Sequence, residues 1–202
     1  MLSVAGAISA CAERNFELKP PGMLPVLSPE LQAPRDARPV SMARPIDAVT
    51  KRRLGWGSDT PGFPLVLHRL VLGDDGGPWV GNALANGLEN AGYEVVAVKD
   101  LKSADTPYAI TVEVTRVAFG TGIFNSRVVV GATVGLYKAG KQVFVRQYLG
   151  QYKGRMVTDI RDPEAVRSSQ ADFLNLALEN FLEQAVPDLA AGMAQGSAVA
   201  IR

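Results

Sequence analysis

The chain has 202 residues, 21 of them basic and 20 acidic, a formal net charge of +1, and a hydrophobic fraction of 47%. This is a globular composition; it argues against wholesale disorder and lacks the basic excess of a protein that coats nucleic acid. A single cysteine, Cys11, and a single histidine, His68, cannot assemble a Cys/His zinc site or a disulfide within the chain.

Residues 1–10, MLSVAGAISA, are small or apolar and carry no charge. The run is too short to span a bilayer, which needs about 20 apolar residues. It has the apolar stretch and small residues of a secretory signal without the basic n-region, and so reads as a truncated signal peptide. The tetrad Ile8-Ser9-Ala10-Cys11 resembles the bacterial lipobox. That resemblance implies cleavage before Cys11 and acylation, including palmitate, at the new terminus. Several acyl chains, each worth about 0.8 kcal/mol per buried CH₂, make a stable anchor. Ala12, in place of an aspartate, points to the outer membrane.

Residues 11–37 read as a tether. Seven prolines fall between Pro20 and Pro45, and proline disfavours both helix and central strand. In polyproline II, at about 3.1 Å per residue, residues 12–36 reach roughly 80 Å. The alternative is irregular chain lying along the domain.

A single domain is expected over residues 38–192. Residues 39–43 read as a first short strand, 46–63 as a loop or irregular hairpin, and 64–72 (PLVLHRLVL) as a strand bounded by Pro64 and a glycine-aspartate loop. Val80, Ala83, Leu84, Leu88 and Ala91 recur at helical spacing, which predicts a helix over 77–91 with Pro78 in its first turn and Gly92 as its C-cap. A strand follows over 93–98. Tyr108, Ile110, Val112 and Val114 alternate with polar residues. With 128–137 and 142–152 they predict a three-stranded antiparallel meander, its second hairpin turning at Lys138-Ala139-Gly140-Lys141. Asp162 and Pro163 open a long closing helix. Its buried face is Val166, Phe173, Leu174, Ala177, Phe181, Leu182 and Ala185. Pro187 should bend or end it, and residues 193–202 should fray.

Three stretches resemble the YajG-type envelope lipoproteins of Gram-negative bacteria: residues 49–57 (VTKRRLGWG), the helix from Trp79 to the Gly92-Tyr93 pair, and the meander with its closing helix over 108–185. The resemblance implies an α/β (α+β) sandwich, a mixed and largely antiparallel sheet with two helices on one face. It brings no enzymatic activity and no catalytic residues.

Tests for chemistry find little. Asp74-Asp75, Asp159 and Asp162 sit where aspartate serves turns and helix caps. The loop 73–77 has the place of a phosphate cradle, but it carries two acids and no base. His68 has no serine or cysteine motif beside it, and no Gly-x-Ser-x-Gly elbow exists. No catalytic residue, cofactor or metal is expected. Two surface candidates remain. Lys51, Arg52 and Arg53 with Trp56 could meet an anionic surface or simply form a solvated loop. Phe119, Ile123 and Phe124 could form an adhesive apolar patch or cap the core. The expected function is a non-enzymatic outer-membrane lipoprotein facing the periplasm, acting through protein or cell-wall contacts, with no nucleic-acid partner. The alternative is an accessory docking lipoprotein of an ABC-type lipid-trafficking system, which a large apolar pocket between sheet and helices would favour; a solid core would favour the first. Nothing in the sequence sets the oligomeric state.

Overall fold

The computed structural model describes residues 14–16, 39–48, 70–72, 76–121, 126–154 and 163–198. In chain order the elements are β1 (Arg14–Phe16), β2 (Val40–Ala43), β3 (Ile46–Asp47), β4 (Leu70–Leu72), α1 (Gly76–Asn90), β5 (Val95–Val98), a 3-10 turn at Leu101–Ser103, β6 (Tyr108–Thr121), β7 (Ser126–Lys138), β8 (Lys141–Gly154) and α2 (Pro163–Ala198). The main sheet runs β5-β2-β6-β7-β8, with β3 also pairing β6. β2 is parallel to both β5 and β6, whereas β6, β7 and β8 form the expected antiparallel meander. The result is a mixed, largely antiparallel sheet with two helices. β1, near the start of the chain, pairs with β4 in a separate parallel pair.

The meander strands present alternate residues to the helices, even-numbered ones except in β6 beyond the register shift after Val114, where Val117 joins the core. Ile110, Val112 and Val114 of β6 and Val128, Val130, Ala132, Val134 and Leu136 of β7 are almost wholly buried, and they share one core with Val80, Leu84 and Leu88 of α1. Apolar alternation on β6 and the helical stripe on α1 thus meet across a single interface. β6 extends to Thr121, past the last alternating pair seen in the sequence, because a register shift between Val114 and Arg116 lets pairing with β7 continue.

Two caps follow the local chemistry. Past α1, Tyr93 N–H donates to Leu88 O (3.0 Å) and Gly92 N–H to Glu89 O (2.9 Å), with Gly92 at φ 91°. This is the paired 6→1 and 5→2 arrangement that a left-handed residue permits. The β7–β8 hairpin turns with two positive φ values, 49° at Ala139 and 76° at Gly140, as the twist of a two-residue connection requires. Ala139 N–H donates to Pro107 O (2.9 Å), which holds the alanine there.

α2 differs from expectation at its far end. It passes through Pro187 without ending and continues beyond Gly192 to Ala198. Proline removes one helical hydrogen bond, but Val186, Leu189 and Ala190 around it are wholly buried and hold the helix in place. Residue 193 does not fray: Met193 is buried, and its carbonyl accepts from Tyr108 Oη (2.9 Å). The buried positions Phe173/Leu174, Ala177/Leu178, Phe181/Leu182, Ala185/Val186 and Leu189/Ala190 recur every four residues. A spacing of four in a helix of 3.6 per turn advances about 40° per step, so the apolar stripe winds around the helix. This lets α2 contact β8, β7 and α1 together.

The closest approach is at Gly150 of β8. A Cβ there would collide with the Ala177 carbonyl oxygen and lie 2.6 Å from the backbone nitrogen of Phe181. Gly150→Ala should therefore cost about 3 kcal/mol in urea unfolding, because neither contact is a flexible side chain that can yield. Ala139→Asn should instead stabilise by roughly 0.5–1 kcal/mol in the same measurement, since asparagine tolerates the left-handed conformation better.

Candidate functional site

The sequence-predicted site residues fall largely outside the described residues: Ile8, Ser9, Ala10, Cys11, Lys51, Arg52, Arg53, Trp56 and Phe124, together with Ile123, His68, Asp74, Asp75, Asp159 and Asp162. Phe119 is in β6, opposite Val128. Among the described residues, no group of three or more His, Cys, Asp and Glu could hold a metal ion, and no helix is long and apolar enough to cross a membrane.

The structure brings forward a different place, the outer margin of β8. β8 is the last strand of the sheet, paired along its length with β7. On the face away from the helices, Val143, Val145 and Leu149 are 46%, 43% and 36% exposed. On the helix face, Tyr148 is buried with its ring edge-on to Phe181 at 6.2 Å between centroids. Tyr148 Oη donates to Asp188 Oδ2 of α2 (2.9 Å), and Arg146 Nη1 donates to the same oxygen (2.6 Å). The guanidinium also lies 5.0 Å from the centroid of the Phe144 ring, a favourable stacking for a delocalised cation. Farther along, Asn180 Nδ2 donates to Gln151 O (2.7 Å) and Gln184 Nε2 to Leu149 O (3.2 Å). One helix thus secures both a side-chain cluster and two strand carbonyls.

These residues were missed because apolar side chains occupy both parities of β8: Val143, Val145 and Leu149 on one, Phe144, Tyr148 and Tyr152 on the other. Alternation marks the strand without saying which face α2 covers. The Asp188 contact joins residues 40 and 42 positions apart, and no local pattern reports it.

A second feature is an open groove of about 930 Å³ at one end of the sheet. Val96, Leu101, Pro107, Ala109 and Tyr137 line it, with Lys102 and Asp105. Its floor is braced by Thr106, whose Oγ1 accepts from Ser41 N–H (2.9 Å) and lies 2.8 Å from Ser41 Oγ. Asp100 Oδ1 caps the 3-10 turn by accepting from Ser103 N–H (3.0 Å). The groove's walls mix apolar side chains with the charged Lys102 and Asp105.

No family model matches the sequence, and no curated protein matches it. Solved structures do resemble it. Protein XCC0632 from Xanthomonas campestris, assigned to the family DUF330, superposes with a TM-score of 0.58 at 15% identity, covering 92% of this chain and 99% of that one. This chain shares its fold. A protein described as a minor lipoprotein from Acinetobacter baumannii gives a TM-score of 0.44 at 13% identity, over 75% of this chain and 90% of that one. Lipoprotein GNA1162 from Neisseria meningitidis gives 0.36 at 12% identity, over 66% and 94%.

Tyr148 yields a pH prediction. Burial first, then the hydrogen bond to Asp188, push its phenol well above the ordinary value of 10.0. The folded state therefore keeps a proton that the unfolded state releases, and this contribution is complete below pH 10 and is lost as pH rises beyond it. Stability should fall above the ordinary phenol range, and Tyr148→Phe should make that fall shallower. The share due to Tyr93, raised by burial and by Tyr108, should remain. Urea unfolding at stepped alkaline pH checks this; an identical alkaline slope in the variant would contradict it.

Proposed function

We propose that this chain is a Gram-negative cell-envelope lipoprotein, anchored at the outer membrane through acylated Cys11 and facing the periplasm. It acts through contacts with protein or cell wall and not by catalysis. The lipobox-like Ile8-Ser9-Ala10-Cys11 supports the anchor. The observation that carries the contact reading is the margin of β8, where exposed Val143, Val145 and Leu149 lie along an outermost strand. Apolar side chains grouped on one face favour removal from water by a partner. The proline-rich tether supplies the reach, roughly 80 Å if extended.

A second reading is an accessory docking lipoprotein of an ABC-type lipid-trafficking system, with the same sheet margin meeting a transporter component. The exposed β8 face favours it as a docking module. The core between sheet and helices is filled by side chains such as Leu84, Leu88, Ile110, Leu136, Phe181 and Leu182, all wholly buried. By that packing the first reading, contacts with protein or cell wall, is the better supported of the two.

The anchor is tested by metabolic labelling with palmitate. Wild-type protein should incorporate label and fractionate with outer membranes, and Cys11→Ser should lose the label and become soluble. Unlabelled wild-type protein, or a labelled variant, would refute the anchor. In-cell crosslinking of the wild-type chain then identifies the partner, and a transporter subunit among the products would select the second reading.

A further inference from the structure

We propose that the two free edges of the main sheet are each other's partners: β5 of one copy of this chain pairs in parallel with the open part of β8 on the next, so that copies associate head to tail. This rests on the reading of β8 as a contact surface and names what covers it.

Both edges expose apolar side chains. β5 and β8 are the outermost strands of the main sheet. Natural proteins protect such edges with charge, proline, bulges or a covering element. β5 reads Val-Val-Ala-Val, with neither charge nor proline. Five large apolar side chains are exposed among the described residues. Val96 is on β5, and Val143, Val145 and Leu149 are on β8, which leaves only Ile46 elsewhere. Exposed apolar groups thus collect on the two strands that have a free side, and their grouping favours cover by a partner.

The edges match in direction, face and length. β2 is parallel to β5 and to β6, and two antiparallel steps through β7 leave β8 parallel to β6, hence to β5. Ala97, Met42, Ile110, Leu136 and Phe144 form one row across the sheet, so β5 lies level with the first residues of β8. Val95 packs against the core, which turns Val96 to the face away from the helices, the face of Val145. A copy moved sideways across the sheet therefore arrives beside β8 parallel and with the same face outward. β5 has four residues. That suits the part of the margin before Leu149 and Gln151, whose carbonyls α2 already takes.

Hydrogen bonding sets the register. Glu94 O and Val98 O accept from β2, so the main-chain groups of Val95 and Ala97, at the alternate positions, point to the free side. On β8 the carbonyls of Leu149 and Gln151 point outward, and by the same alternation so do the main-chain groups of Val145 and Gln147. In a parallel ladder Val145 N–H then donates to Val95 O, Ala97 N–H to Val145 O and Gln147 N–H to Ala97 O. Val96 comes to lie beside Val145, and both leave water. β5 carries no charge, so the paired stretch opposes no like charges. Two different edges in contact make a heterologous interface, which generates a ring or an open chain of copies.

The test uses the full chain carrying Cys11→Ser, which removes acyl-driven association. In sedimentation velocity this parent should form species larger than a dimer as concentration rises. Val96→Lys spoils β5 alone, and Val145→Lys spoils β8 alone. Each variant by itself should sediment as a monomer, its association weakened at least about tenfold. An equimolar mixture of the two should give a dimer and nothing larger, because each keeps one good edge. Both positions are exposed, so unfolding midpoints should stay near that of the parent. Hydrogen exchange on the parent reads the same contact without a substitution: the Ala97, Val145 and Gln147 amides should slow as concentration rises. A parent that stays monomeric, or exchange that ignores concentration, would overturn the proposal. So would Val96→Lys protein that associates as well as the parent, since β8 would then be pairing with β8. A photo-crosslinker at Val145 in cells separates the two levels. Capture of a second copy through β5 supports the proposal. Capture of another protein alone sinks the β5 assignment and leaves the contact reading standing; capture of nothing from either Val145 or Leu149 sinks both.

Discussion

Gly150 lets a helix backbone touch a strand. With only a hydrogen at that position, α2 approaches β8 until its main chain at Ala177 and Phe181 is in contact with the sheet. Close approach shortens every other reach between the two elements. Asn180 and Gln184 have short amide side chains, yet they arrive at the carbonyls of Gln151 and Leu149. Asp188, two turns beyond Phe181, meets Arg146 and Tyr148 together. At the far end the Tyr108 hydroxyl donates to the Met193 carbonyl. The helix is held along its length by contacts that follow from one small residue, and this explains why Pro187 does not interrupt it. The lost hydrogen bond, costing about 3 kcal/mol in an isolated helix, is offset by a segment whose buried residues continue without a break.

The same approach divides β8 into unlike parts. Its inner face is core, its far carbonyls are capped by α2, and its near margin and outer face meet solvent. The open part is where, among the described residues, the strand presents exposed Val143 and Val145. Contact through that face needs no deep cavity, and among the described residues side chains fill the space between sheet and helices. The groove beside the 3-10 turn is a separate surface of mixed character, at the end of the sheet where β5, β6 and the β7–β8 hairpin come together.

Much of the architecture was legible because local chemistry repeats. The spacing of Val80, Leu84 and Leu88 with Gly92 behind them placed α1 to within a residue. Alternation over 108–115 and the Ala139-Gly140 turn gave the meander, and Asp162-Pro163 marked the start of α2. Reading failed where a partner distant in sequence decides. β6 runs on to Thr121 because β7 lies opposite. α2 runs on past Pro187 and Gly192, with Met193 buried and its carbonyl accepting from Tyr108. β2, four residues long, gave no sign that it would pair in parallel with both β5 and β6. The sequence also drew attention to Lys51, Arg52, Arg53, Trp56 and Phe124, which lie outside the described residues, while the structure adds a candidate surface on β8, whose two apolar parities look alike until a helix covers one.

By itself the sequence determined the fold class, the order of the main elements, and their caps and turns, and its counts of cysteine and histidine ruled out a zinc site built from those two residue types. Each of these depends on residues close together in the chain or on counting. Only the tertiary structure decided which face of the meander is core, which strand is outermost and how much of its margin is shielded. Those outcomes depend on where α2 lands, and that is set by a contact between Gly150 and residues 27 and 31 positions away, a distance over which no periodicity carries information.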